Sequence, residues 1–132
     1  MKRALALGLS GVSIVTLGLV GSAGSASAAC AFNEVYTGYQ NPRESVIVSS
    51  TSTCNDVNLS TAWDSAGDGF DWYAGFYDSN GWKIGAKGYV FGKDFATTDS
   101  SKWIVLLTAV RNGARVGVGS YYDGGDIVTI AH

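Results

Sequence analysis

Beyond residue 29, short apolar and aromatic runs alternate with clusters of Gly, Asn, Asp and Ser. No stretch repeats apolar residues at i, i+3, i+4 and i+7 between helix caps. The pattern predicts strands. Ser45–Ser49 reads as a strand after a turn at Asn41-Pro42, and Val57–Thr61 alternates as a half-buried strand. Asp64–Gly69 is a loop, and Phe70–Tyr77 alternates with large residues on both faces. A turn at Asp78-Ser79-Asn80-Gly81 leads to a return strand over Trp82–Ala86, followed by a short strand over Gly88–Phe91 and a polar loop to Ser101. Trp103–Val110 is the most apolar run of this region. It reads as a central strand covered on both sides, ahead of an Asn112-Gly113 hairpin turn. Ala114–Tyr121 returns, Asp123-Gly124-Gly125 turns again, and Asp126–Ala131 closes the chain. Seven or eight short strands without crossover helices predict an all-β domain, an antiparallel β-sandwich or small barrel.

The alternation also assigns faces. In the Phe70–Tyr77 strand, Phe70, Trp72 and Phe76 are the expected core set, which turns Tyr73 and Tyr77 outward with Asp71 and Gly75. Val116 and Val118 are the expected core pair of the later strand, turning Arg115, Gly117, Gly119 and Tyr121 outward. Tyr73, Tyr77, Arg115 and Tyr121 then line a flat, glycine-rich face suited to stacking and hydrogen bonding, and Trp82 stands beside the Asp78–Gly81 turn. The competing structural reading is that the Tyr rings shield glycine backbone within the sheet.

The first residues carry an address. Lys2 and Arg3 precede an apolar stretch from Ala4 to Val20, and small residues follow to Ala29 with A-x-A spacing at Ala26-Ser27-Ala28. This is the form of a secretory signal peptide over residues 1–29, cleaved after Ala28 or Ala29. The apolar stretch, interrupted by Gly8, Ser10, Gly11, Ser13 and Gly18, falls short of the roughly 20 residues of a membrane span. The expected product is a single β domain over residues 30–132, extracellular and off the membrane after cleavage. Cys30 and Cys54 are the only two cysteines, and in an oxidising compartment they are expected to form a disulfide. Lipid attachment at Cys30 is disfavoured by Ser27, where a Leu-type residue is usual.

Composition narrows the chemistry. Removing Lys2 and Arg3 from nine basic residues leaves seven against eleven acidic ones, a net charge of −4. That balance argues against nucleic-acid binding. One His and two Cys exclude structural zinc sites built from four cysteines, or from two cysteines and two histidines. The sole His is the final residue, His132, poorly placed to serve as a triad base and read as a frayed tail. Asp64, Asp68, Gly69 and Asp71 resemble part of a calcium loop, but Ala66 and Gly75 occupy the third and twelfth positions, where an EF-hand requires ligands. A solvated turn is preferred there, with a calcium site of another type as the alternative. Asp71 alone sits within a strand, without an identifiable acid partner for hydrolysis. No catalytic residue, metal or cofactor is expected.

Cys54-Asn-Asp-Val-Asn-Leu59, Phe76-Tyr77 before a turn, Trp82-Lys83 after it and Asn112-Gly113-Ala-Arg115-Val116 together carry a resemblance. They resemble the small secreted proteins of filamentous actinobacteria, over most of the chain from Cys54 onward. The resemblance implies a secreted β-rich domain and carries no activity over. The expected function is a non-enzymatic extracellular protein that binds a secreted partner through its aromatic and glycine-rich face. The alternatives are an inhibitor of a secreted hydrolase, presenting Trp82 or the Gly92–Ser101 loop, and a polysaccharide-binding module.

Overall fold

The computed structural model describes residues 30–132, and the expected signal peptide with its cleavage site lies outside the described residues. Eleven strands form: β1 (Phe32–Tyr39), β2 (Asn41–Pro42), β3 (Val46–Ile47), β4 (Val57–Trp63), β5 (Phe70–Asp78), β6 (Trp82–Ile84), β7 (Val90–Lys93), β8 (Phe95–Ala96), β9 (Ile104–Leu107), β10 (Arg115–Ser120) and β11 (Ile127–Ala131). Ser100–Lys102 makes one 3-10 turn, and no α-helix occurs among the described residues. The main hydrogen-bonded path runs β9-β4-β11-β1-β10-β5-β6, with β2 on β1, β3 on β10, β7 on β5 and β8 on β4. The sheet curls into a half-barrel, so the all-β expectation holds.

β1 joins the two halves of the sheet. Phe32–Tyr36 pairs antiparallel with β11, while Gly38 and Tyr39 pair parallel with Gly119 and Ser120 of β10. The architecture is therefore not purely antiparallel. Cys30, just ahead of β1, is bonded to Cys54 just ahead of β4, with Cα atoms 5.3 Å apart. A bridge closing a loop of this length stabilises a fold by on the order of 3 kcal/mol. It ties the start of β1 to the start of β4.

Inside the curl, Val57, Leu59, Val116, Val118, Val128 and Ile130 are fully buried. Each such side chain contributes roughly 1.5–3 kcal/mol of transfer free energy. Val116 and Val118 point inward as expected, but β5 is turned the other way. Tyr73 is fully buried, whereas Phe70 and Trp72 are each 38% exposed. Phe76 is buried on the outer side, where its ring fills the space a Cβ on Gly119 would enter. Gly75 explains the choice: a Cβ there would come within 2.6 Å of Leu107 Cγ. The inward face of β5 must be small at that point for β9, at one end of the sheet path, to pack across it.

Two further expectations are corrected. Only Ile104–Leu107 of the apolar run is strand, and it lies at the end of the sheet path beside β4 instead of at its centre. Asn112-Gly113 does not join a hairpin, because β9 pairs with β4 while β10 pairs with β1, β3 and β5. Gly113 supplies a positive φ of 87° in a turn between the two sheet halves, and Asn112 Oδ1 accepts the Ser50 N–H. The turn after β5 forms as expected, with Asn80 and Gly81 at positive φ and the Gly81 N–H donated to Asp78 Oδ1.

His132 is not frayed. Its ring is buried, Nδ1 accepts the Ser49 N–H at 2.9 Å, and Nε2 lies 2.7 Å from Asn33 Oδ1. That pairing requires Nε2 to carry the proton and donate it to Asn33. Burial lowers the imidazole pKa. Below about pH 6.5 the unfolded chain binds a proton the folded chain resists, so this contribution is full above that pH and declines as pH falls through it. Urea unfolding of the protein and of His132→Gln at pH 7.5 and pH 5 measures the difference. The stability gap between them is expected to narrow at pH 5, and a gap constant with pH overturns the buried neutral assignment.

Candidate functional site

The outward side of β5 meets β7 in antiparallel register, with Trp72 opposite Phe91 and Phe70 opposite Lys93. Directly opposed and diagonal residues on one face of such a pair come into side-chain contact. Trp72 and Phe91 meet at 5.5 Å between centroids and 74° between planes, and Phe91 meets Phe70 at 5.6 Å and 31°. Phe70 reaches Tyr122 at 6.3 Å, and Tyr122 stands 5.3 Å from Tyr121. Tyr121 lies 5.2 Å from Tyr89, which covers Phe76 at 6.4 Å. Seven rings thus form one continuous chain across the outer face. Tyr122 is 59% exposed and Phe91 48%. Trp72, Tyr89, Tyr121 and Tyr122 surround a shallow pocket of about 270 Å³.

Directly behind three of these rings lies a carboxylate. Asp71, fully buried, accepts N–H bonds at Oδ1 from Trp72 (2.6 Å), Tyr122 (3.0 Å) and Tyr121 (3.2 Å). The Tyr121 N–H is also donated to the Trp72 carbonyl at 2.9 Å. One side chain therefore fixes the backbone under the aromatic surface.

Asp71 is not alone. Asp64, Asp123 and Asp126 converge with it, each offering a carboxylate oxygen within 4.8 Å of the others. Asp64 Oδ2 accepts the Asp68 N–H at 2.6 Å and the Gly69 N–H at 3.2 Å, which folds the loop before β5. Asp126 Oδ1 accepts the Ser65 N–H and hydroxyl at 2.8 and 2.9 Å, and its Oδ2 accepts the Tyr73 hydroxyl at 3.0 Å. The polar chain continues inward, since the Asp126 N–H is donated to Thr37 Oγ1, which lies 2.8 Å from Ser120 Oγ. Ser120 Oγ in turn donates to the Asp123 carbonyl.

The electrostatics follow from crowding and burial. Burial pushes the Asp126 carboxyl up to about 6 against the hydrogen bonds from Ser65 and Tyr73, which favour its charged form. Burial and the neighbouring Asp64 and Asp71 raise Asp123 as well. Burial and the adjacent Asp126 hold the Tyr73 phenol above its usual range, so it stays a donor.

The expected binding set of Tyr73, Tyr77, Arg115, Tyr121 and Trp82 divides: Tyr77 and Arg115 share one groove near Trp82, while Tyr73 and Tyr121 lie elsewhere. Tyr73 is corrected from a surface residue to a core residue that orients Asp126. Tyr77, on the same inward side of β5, lines a groove of about 700 Å³ whose walls include Leu106, Leu107 and Arg115. Arg115 pairs with Asp78 at 3.7 Å, and Trp82 stands opposite Asp78 in the β5–β6 register. Tyr121 alone belongs to the ring chain, at the other end of β5. Trp72, Phe70, Phe91, Tyr89 and Tyr122 were not expected at a site, and neither was the acid pair of Asp123 and Asp126. Gly75, on the same side of the strand as Tyr73, was the signal that this side faces a packed interior.

Tyr73→Phe removes the donor to Asp126 Oδ2 while keeping the ring in the core. It is expected to cost about 1–2 kcal/mol in urea unfolding, and an unchanged midpoint contradicts this bond's role. The chain matches no family model, no curated protein and no solved structure.

Proposed function

We propose that the protein is a secreted, non-enzymatic binding domain that engages an extracellular partner protein through its chain of outer rings. The Cys30–Cys54 bridge is compatible with an oxidising, extracellular setting. The observation that carries the reading is the run of mutually contacting, part-exposed rings from Trp72 through Phe91, Phe70, Tyr122 and Tyr121 to Tyr89. Large rings held without conformational freedom supply contact area at low entropic cost, and such residues dominate the energetics of protein interfaces.

Ring orientation favours a protein over a polysaccharide surface. The Trp72–Phe91, Tyr89–Tyr121, Tyr121–Tyr122 and Phe70–Tyr122 contacts are edge-to-face, at 74°, 78°, 88° and 87°. A flat glucan or chitin face stacks on coplanar rings, whereas these make a ridged apolar surface that interdigitates with side chains. The single imidazole is taken up by Ser49 and Asn33 and both cysteines by the bridge, which supports a binding role over nucleophilic catalysis.

A photo-crosslinking residue at position 122 is expected to capture a discrete protein from culture supernatant, and one at Lys87 is not. The double variant Phe91→Ala/Tyr122→Ala removes two half-exposed rings, keeps the fold and is expected to weaken affinity for the captured protein at least ~10-fold. Equal affinity in the folded double variant overturns the reading. Retention on insoluble glucan or chitin, lost in the same variant, favours the polysaccharide alternative instead.

A further inference from the structure

We propose that Asp64, Asp71, Asp123 and Asp126 form a calcium-binding site, built where the loop before β5 meets the turn between β10 and β11. Their carboxylate oxygens lie within 4.8 Å of one another, and Asp71 and Asp126 are fully buried. Four like charges at that spacing repel strongly unless a cation or protons intervene.

A second observation points to the same place. Asp71 Oδ1 is saturated by three N–H donors, while Asp71 Oδ2 is buried without any hydrogen-bond partner. Asp123 Oδ1 is buried and unpartnered too. Among the described residues these are the two buried side-chain polar atoms left unsatisfied, and both belong to the cluster. Buried polar atoms are almost always paired, so two orphaned carboxylate oxygens in one acidic cluster mark the place of a positive group. No Lys or Arg supplies it, because the ion pair found within 4 Å among the described residues joins Arg115 to Asp78.

The donor set selects the ion. Hard, all-oxygen ligation suits Ca2+ or Mg2+, and zinc prefers nitrogen and sulfur. Two oxygens on opposite sides of Ca2+, each at about 2.4 Å, are about 4.8 Å apart, while Mg2+ at about 2.1 Å draws them to about 4.2 Å and requires strict octahedral geometry. Carboxylates gathered within 4.8 Å by the fold suit Ca2+, which accepts irregular coordination, better than Mg2+, which does not. The local loop lacks two EF-hand ligands at Ala66 and Gly75, and Asp123 and Asp126 supply carboxylates from a distant segment instead.

The test requires no partner protein, so its outcome is independent of the binding reading. The purified mature protein is stripped with EDTA, and melting is followed with CaCl2 or MgCl2, alongside Tb3+ luminescence sensitised by the nearby Trp72 and Tyr73. About 10 mM CaCl2, against a Kd of about 1 mM or tighter, is expected to raise Tm by at least ~5 °C, and MgCl2 to raise it far less. Asp123→Asn is expected to melt higher than the parent in EDTA, through relieved repulsion, and to lose the calcium shift and the Tb3+ signal. Asp78→Asn, outside the cluster, is expected to keep both. The proposal is overturned by an unchanged Tm in CaCl2, by an equal shift with MgCl2, or by a full calcium shift in Asp123→Asn.

Discussion

Four carboxylates meet at one end of a curled sheet, and much of the surrounding chain is organised to hold them there. Like charges this close repel by on the order of 3 kcal/mol per pair at an effective dielectric constant of about 20. That repulsion is met by N–H groups of Asp68, Gly69, Trp72, Tyr121, Tyr122 and Ser65 and by the Tyr73 hydroxyl. These donors come from β5, the loop before it and the turn after β10. Satisfying the acids therefore joins two stretches far apart in sequence, 64–78 and 120–126. Tyr73 and Asp126, for example, are 53 residues apart.

The same constraint shapes the outer surface. Asp71 occupies an inward position on β5, so its neighbours Phe70 and Trp72 point outward, and its Oδ1 grips the backbone beneath Trp72, Tyr121 and Tyr122. The rings need no core burial to be ordered, because their backbone is fixed from behind and their edges pack on one another. A rigid, part-exposed aromatic surface is the kind that binds with little entropic loss. The acid cluster and the ring chain are two faces of one construction.

Much of this was legible in the sequence, and the remainder failed for definite reasons. Gly, Asn and Asp punctuation between β-branched runs located most strands, and the two cysteines named their own bridge. The turn at Asp78–Gly81 and the inward Val116 and Val118 followed from local rules alone. The face of β5 did not, because both of its faces carry large side chains and hydrophobicity favoured Phe70, Trp72 and Phe76 over a Tyr and an Asp. What reversed the choice was tertiary: Leu107 needs the empty side of Gly75, and Asp71 needs acids and amides brought from elsewhere. β1 escaped because its inward positions include Thr37, a polar residue satisfied only by Ser120 and Asp126 across the fold. The apolar Trp103–Val110 run read as a central strand because hydrophobicity reports burial and not position within a sheet. The convergence of Asp64 and Asp71 with Asp123 and Asp126 had no local signature at all.

The most direct test of this construction is the anomalous scattering from crystals of the protein grown in CaCl2. One peak is expected, about 2.3–2.6 Å from oxygens of Asp64, Asp71, Asp123 and Asp126, with Asp71 Oδ2 among its ligands. A cluster without a peak, its carboxylates spread apart or sharing protons with one another, contradicts it.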